Sequence, residues 1–116
     1  MGMTVGKRIA AMAIIGGSLV AASPAFAQDM YGAKNGSEAW SYGSNAQVAV
    51  KDTKADSREV YAEYNRRTTS DHELRNSSGY NTTVYGPSDA TNYVRMLKAC
   101  VAINLQPDEC SAWSYR

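Results

Sequence analysis

The chain has 116 residues, enough for one small domain, and 12 Lys and Arg against 11 Asp and Glu give a formal charge of +1. That balance argues against a basic surface for nucleic acid, which must displace phosphate counterions, and against a polybasic membrane-surface binder. Two cysteines and one histidine are too few for a tetrahedral zinc site.

Residues 1–27 read as an export signal. Lys7-Arg8 is a short positive start, residues 9–20 are a mostly apolar run, and Ala25-Phe26-Ala27 is a small-x-small cleavage site. Gly16-Gly17-Ser18 interrupts the run, which is shorter than the roughly 20 apolar residues a membrane-spanning helix needs. No later run is apolar enough to span a membrane, so no transmembrane segment is expected after the signal is removed. Cleavage after Ala27 leaves 89 of the 116 residues. It removes two of the 12 basic residues and none of the 11 acidic ones, so the formal charge becomes −1. The expected location is secreted and extracellular, where a Cys100–Cys110 disulfide is favoured. The loop-entropy estimate for so short a loop is roughly 3 kcal/mol.

Residues 28–45 are rich in Gly, Ser, Asn and Ala and show no sustained apolar period. This composition predicts a flexible arm, with Trp40 as an anchor onto the domain. From residue 46 the texture changes. Ala46, Val48 and Val50 alternate with Gln47, Ala49 and Lys51, predicting a strand, and residues 52–57 are a polar turn. Val60, Ala62 and Tyr64 alternate with Tyr61, Glu63 and Asn65 in the clearest strand of the chain. Residues 72–76 form a short strand with Leu74 inward and Glu73 and Arg75 outward. Residues 80–85 are dense in Thr, Val and Tyr, which favour a pleated surface, and Gly86-Pro87 ends them.

Residues 91–104 carry two periods. As a helix, Val94, Leu97 and Val101 share a face. As a strand, Leu97, Ala99, Val101 and Ile103 alternate with Lys98, Cys100 and Ala102, and Val94 and Met96 then need a bulge near Lys98. The strand signals on both sides favour the strand. Residues 105–109 form the loop inside the disulfide, and 110–115 a short last strand. The expected fold is all-β: a small antiparallel β-sandwich or partly open barrel over residues 46–116, with one C-terminal disulfide.

His72, the only histidine, is the candidate for acid–base chemistry, with Glu59, Glu63, Arg66 and Arg67 within conceivable reach across a sheet. A Glu, an Arg and a His on a small secreted β domain resemble the guanyl-specific microbial ribonucleases, but no later histidine follows His72. Asp52 and Asp56 flank a turn but lack the further oxygen ligands of a calcium loop. Eight tyrosines and two tryptophans suggest aromatic contacts instead. Tyr61, Tyr85, Trp40 and Trp113 form the candidate binding surface. Asn35, Asn76 and Asn81 each head a glycosylation triplet.

Val48 to Asp56, Val60 to Tyr64, Leu74 to Gly79, Cys100-Val101 and Leu105 to Ser111 resemble a group of small secreted proteins of Streptomyces and related actinobacteria. The resemblance implies export and a β fold, and carries over no active-site residue. The expected product is a non-enzymatic extracellular binding or surface-associated module. Its partner is an extracellular protein or glycan, and no cofactor, metal or nucleic acid is expected. The alternative is an inhibitor of a secreted protease or other hydrolase acting through the 101–109 loop. A small hydrolase using His72 is the third reading.

Overall fold

The computed structural model describes residues 28–116, so the expected export signal lies outside the described residues. Here the period-two alternations of the sequence become strands with one face in a shared core. The strands are β1 (Gln28–Lys34), β2 (Ser37–Tyr42), β3 (Gln47–Asp52), β4 (Val60–Arg66), β5 (His72–Asn76), β6 (Thr83–Tyr85), β7 (Val94–Val101), β8 (Glu109–Cys110) and β9 (Ser114–Tyr115). They form two antiparallel sheets that are not closed into a barrel, and no helix occurs among the described residues. One sheet has the order β1-β2-β3-β6; the other has β9-β7-β4-β5, with β8 also paired to β7.

The core fills the space between the sheets. Met30, Ala39, Val48 and Val50 come from the first sheet; Val60, Ala62, Tyr64, Val94, Leu97, Ala99 and Val101 come from the second. Across the central pair, Val60 faces Val101, Ala62 faces Ala99 and Tyr64 faces Leu97, so apolar rows align. Each fully buried Val or Leu contributes about 1.5–3 kcal/mol relative to exposure.

Residues 91–104 contain a strand rather than a helix, with a bulge as the alternation requires. Asn65 pairs with Met96 and Arg66 with Val94, so the extra residue is Arg95, slightly before the expected position. The bulge returns Val94 to the core.

Residues 28–45, expected as a flexible arm, instead form β1, β2 and the turn into β3, so the β domain begins at Gln28 rather than at residue 46. Asn35-Gly36 is the cause. Its φ angles of 41° and 101° are those of a two-residue hairpin turn whose twist matches the flanking strands. The small residues of this stretch permit close packing. A Cβ on Gly32 would stand 2.8 Å from Ser111 Oγ, and Ala39 is fully buried.

Arg66 fixes the connection between β6 and β7. Its side chain is buried and donates to the carbonyls of Ala46, Pro87, Asp89 and Asn92 at 2.8–3.3 Å. One guanidinium thereby satisfies a loop that has no ladder of its own.

Candidate functional site

Register places one row of aromatic residues straight across the outer face of the four-stranded sheet. Tyr31 on β1 pairs with Trp40 on β2, Trp40 with Ala49 on β3, and Ala49 with Tyr85 on β6. Directly paired residues of an antiparallel ladder project to the same side. The neighbours Met30, Ala39, Val48, Val50 and Val84 point into the core or pack against it, so this row points outward. Tyr42, two residues after Trp40, shares that face, and its ring meets Tyr85 edge-on at 6.1 Å. Ala49 lies outward between Trp40 and Tyr85 yet is fully buried, because its larger neighbours close over it. Tyr31 and Tyr85 are 44% and 52% exposed, and Trp40 is partly buried.

A polar row runs beside the aromatic one. Ala33, Glu38, Lys51 and Thr83 follow the same cross-strand register, with Glu38 directly opposite Lys51. The Tyr31 hydroxyl donates to Glu38 Oε2 at 2.6 Å, which fixes the ring. Burial raises the Tyr31 phenol pKa, and the Glu38 hydrogen bond and charge raise it further. Burial, and secondarily Tyr85, raises that of Tyr42. Both stay neutral rings with a donor hydroxyl through the ordinary pH range.

Of the four sequence-derived surface residues, Trp40 and Tyr85 meet on this face. Tyr61 and Trp113 belong to the other sheet. Tyr61 lies on the outward side of β4, as its alternation predicts, but it is only 4% exposed and offers no binding surface. The Arg75 guanidinium covers its ring at 4.5 Å, and its hydroxyl donates to Asp108 Oδ2 at 2.5 Å. Trp113 is partly buried, with Lys98 Nζ 4.6 Å from its ring centre. It borders a pocket of about 180 Å³ with Glu63, Asn65, Asp71, His72 and Glu73. Glu63 and Glu73 are already ion-paired there, to Lys98 at 3.5 Å and Arg75 at 2.9 Å. Tyr31 and Tyr42 were hidden from sequence reasoning by the arm assignment. The Asn35-Gly36 turn signal, followed by alternation through residues 37–42, was the clue to them.

His72 stacks on Tyr64 at 5.1 Å and shares a hydrogen bond with Thr69 Oγ1 at 2.7 Å. Glu59 pairs with Arg75 and Glu63 with Lys98, so neither carboxylate is bonded to the imidazole. Asp52 and Asp56 accept from the backbone amides two residues on, as turn residues do. Among the described residues no group of three or more His, Cys, Asp and Glu is placed to hold a metal ion. Asn76 is fully buried, and its amide is used on Val50, Ser78 and Thr82, so its glycosylation triplet is closed in the folded protein.

The Cys100–Cys110 disulfide is formed. It joins directly paired residues of β7 and β8 and closes the 101–109 loop. Asp108 holds this loop from within: Oδ1 accepts from the Ile103 amide and Oδ2 from Tyr61. Those two hydrogen bonds, Tyr61 first, lower the Asp108 pKa from its usual value. At the turn, Leu105 is fully exposed (104%) with a left-handed φ of 61°. No family model, curated protein or solved structure matches the chain.

Proposed function

We propose that the protein is exported and acts as a non-enzymatic binding module that attaches to extracellular surfaces through the outer face of its four-stranded sheet. The observation that carries this reading is the row Tyr31, Trp40 and Tyr85, aligned across all four strands and set on rigid paired backbone. Aromatic rings supply large contact area at low ordering cost. The disulfide accords with an oxidising compartment, and among the described residues no helix is long and apolar enough to cross a membrane.

Co-sedimentation with intact bacterial cells and with their isolated walls tests the reading. The full chain and its Trp113→Phe variant should pellet, whereas Trp40→Ala/Tyr85→Ala should stay in the supernatant. Equal pelleting of all three would refute the assignment of the face.

Leu105 favours a second reading, inhibition of a secreted hydrolase through the 101–109 loop. A fully exposed leucine stands on a loop held by a disulfide and by Asp108, which lowers the ordering cost of docking. Loss of protease inhibition in Leu105→Asp, with wall binding intact, would support it.

A further inference from the structure

We propose that the sheet opposite the aromatic face carries a phosphate-binding site at the start of β7, built from the guanidinium groups of Arg67 and Arg95 and the Ser70 hydroxyl. The site is separate from the aromatic row and does not depend on the reading given for it.

The backbone brings the two arginines together. Strict alternation along β7, counted back from the buried Leu97, would turn Arg95 into the core. The bulge prevents this. Asn65 pairs with Met96 and Arg66 with Val94, so Arg95 is the extra residue, and it is exposed. Arg67 follows the buried Arg66, and alternation sends it to the other side, where it too is exposed. Its amide donates to the Tyr93 carbonyl at 2.8 Å, which ties it beside the bulge. Arg67, Ser70 and Arg95 line one pocket of about 260 Å³, and no carboxylate side chain lines it with them.

The charges of this pocket are unspent. Among the described residues neither arginine makes an ion pair. Arg67 Nε donates to the Thr91 carbonyl at 3.2 Å, which holds the side chain and leaves its terminal nitrogens open. The Arg95 guanidinium donates to no protein acceptor among the described residues. Other arginines are in use: Arg66 on four carbonyls, Arg75 on Glu59 and Glu73, and Arg116 over the Tyr93 ring at 4.1 Å. Arg58 is exposed, but its pocket also holds Asp52, Asp56 and Glu59. The Thr68 and Thr69 hydroxyls are bonded to Asn92 and His72, whereas the Ser70 hydroxyl keeps its donor free.

This donor set selects the ligand. Two adjacent positive charges without a counter-charge call for an anion. A carboxylate has two oxygens, which one guanidinium fork already satisfies. A phosphate monoester has three strong acceptor oxygens and a charge of about −1.5 to −2 near neutral pH. It matches two forks and a hydroxyl in both number and charge. A small soluble ester and a lipid headgroup offer this same chemistry.

The test follows backbone amide shifts of the isotope-labelled full chain, titrated at constant ionic strength with inorganic phosphate, glycerol phosphate and acetate. Both phosphates should shift the Arg67, Ser70 and Arg95 amides saturably, and bind about tenfold more tightly than acetate. Arg67→Gln and Arg95→Gln should each weaken glycerol phosphate about tenfold, and Arg58→Gln should leave it unchanged. Both site arginines are exposed, and unfolding midpoints check that the variants remain folded. Phosphatidylcholine vesicles with and without phosphatidic acid separate the sources. Arg95-dependent retention only on the phosphatidic acid vesicles assigns a lipid headgroup; glycerol phosphate binding without retention assigns a soluble ester. Acetate binding as tight as phosphate, or an equal loss in Arg58→Gln, would reduce the effect to ion screening and overturn the site. Absence of both a saturable phosphate shift and vesicle retention would overturn it as well.

Discussion

Arg66 brings a buried cation to four carbonyl oxygens, three of them in the 86–93 connection. Methionine could fill much of the same volume but would leave those acceptors without their donor. Arg66→Met should therefore cost on the order of 2–4 kcal/mol in urea unfolding, and a loss under about 1 kcal/mol would mean that water replaces the guanidinium freely. Asp108 gives a pH-dependent counterpart. Its folded pKa lies below the unfolded value of about 3.9, so its contribution is whole above that value and fades as pH falls through the lower folded one. Protection of the Ile103 amide against hydrogen exchange should thus hold at neutral pH and be lost only at the acid end. Asp108→Asn should lower it at neutral pH already. Equal protection in both proteins at neutral pH would dismiss Asp108 as the loop's staple. Tyr61 marks what alternation can and cannot reveal. It identifies the outward side of β4, but not the loop and the Arg75 guanidinium that cover that side.

At the level of elements, β3, β4, β5 and β7 were legible because apolar residues alternate along them and their partners offer matching rows. β1 and β2 were not, because Gly, Ser and Ala resemble the composition of a disordered tract. What converts that composition into a hairpin is the left-handed turn and the packing that small residues permit. Gly36 and Gly79 separate these contributions. Their φ angles are 101° and 105°, but a Cβ at Gly36 would meet Lys54 Cβ at 2.7 Å, whereas Gly79 opens onto free space. Gly79→Ala should cost about 1–2 kcal/mol from backbone strain alone. Gly36→Ala should cost at least about 1 kcal/mol more, from overpacking at the turn. Thermal unfolding of the two variants makes the comparison, and equal losses would show that the Lys54 contact yields without cost.

On the scale of the molecule, the candidate aromatics were legible as residues but not as a surface. Their division between two opposite faces depends on β6 crossing to pair with β3, a non-local choice that no local pattern specifies. The same scale gives the disulfide its role. The segment from Glu109 to Ser114 bridges the sheets at their β1 edge. Ser111 Oγ accepts from the Ala99 amide at 3.0 Å, Ser114 Oγ accepts from the Tyr31 amide at 3.4 Å, and Asn35 donates to Glu109. β8 has two residues and little ladder of its own, so the cross-link holds this bridge in place. Reduction should lower stability by about 2–3 kcal/mol. It should also raise amide exchange in β1, Tyr31 included, before the centre of β4 is affected. Because Tyr31 ends the aromatic row, reduced protein should bind walls more weakly than oxidised protein under conditions where both remain folded. Unchanged exchange across β1 after reduction would show that the bridge stands without its bond, and would confine the disulfide's effect to the 101–109 loop.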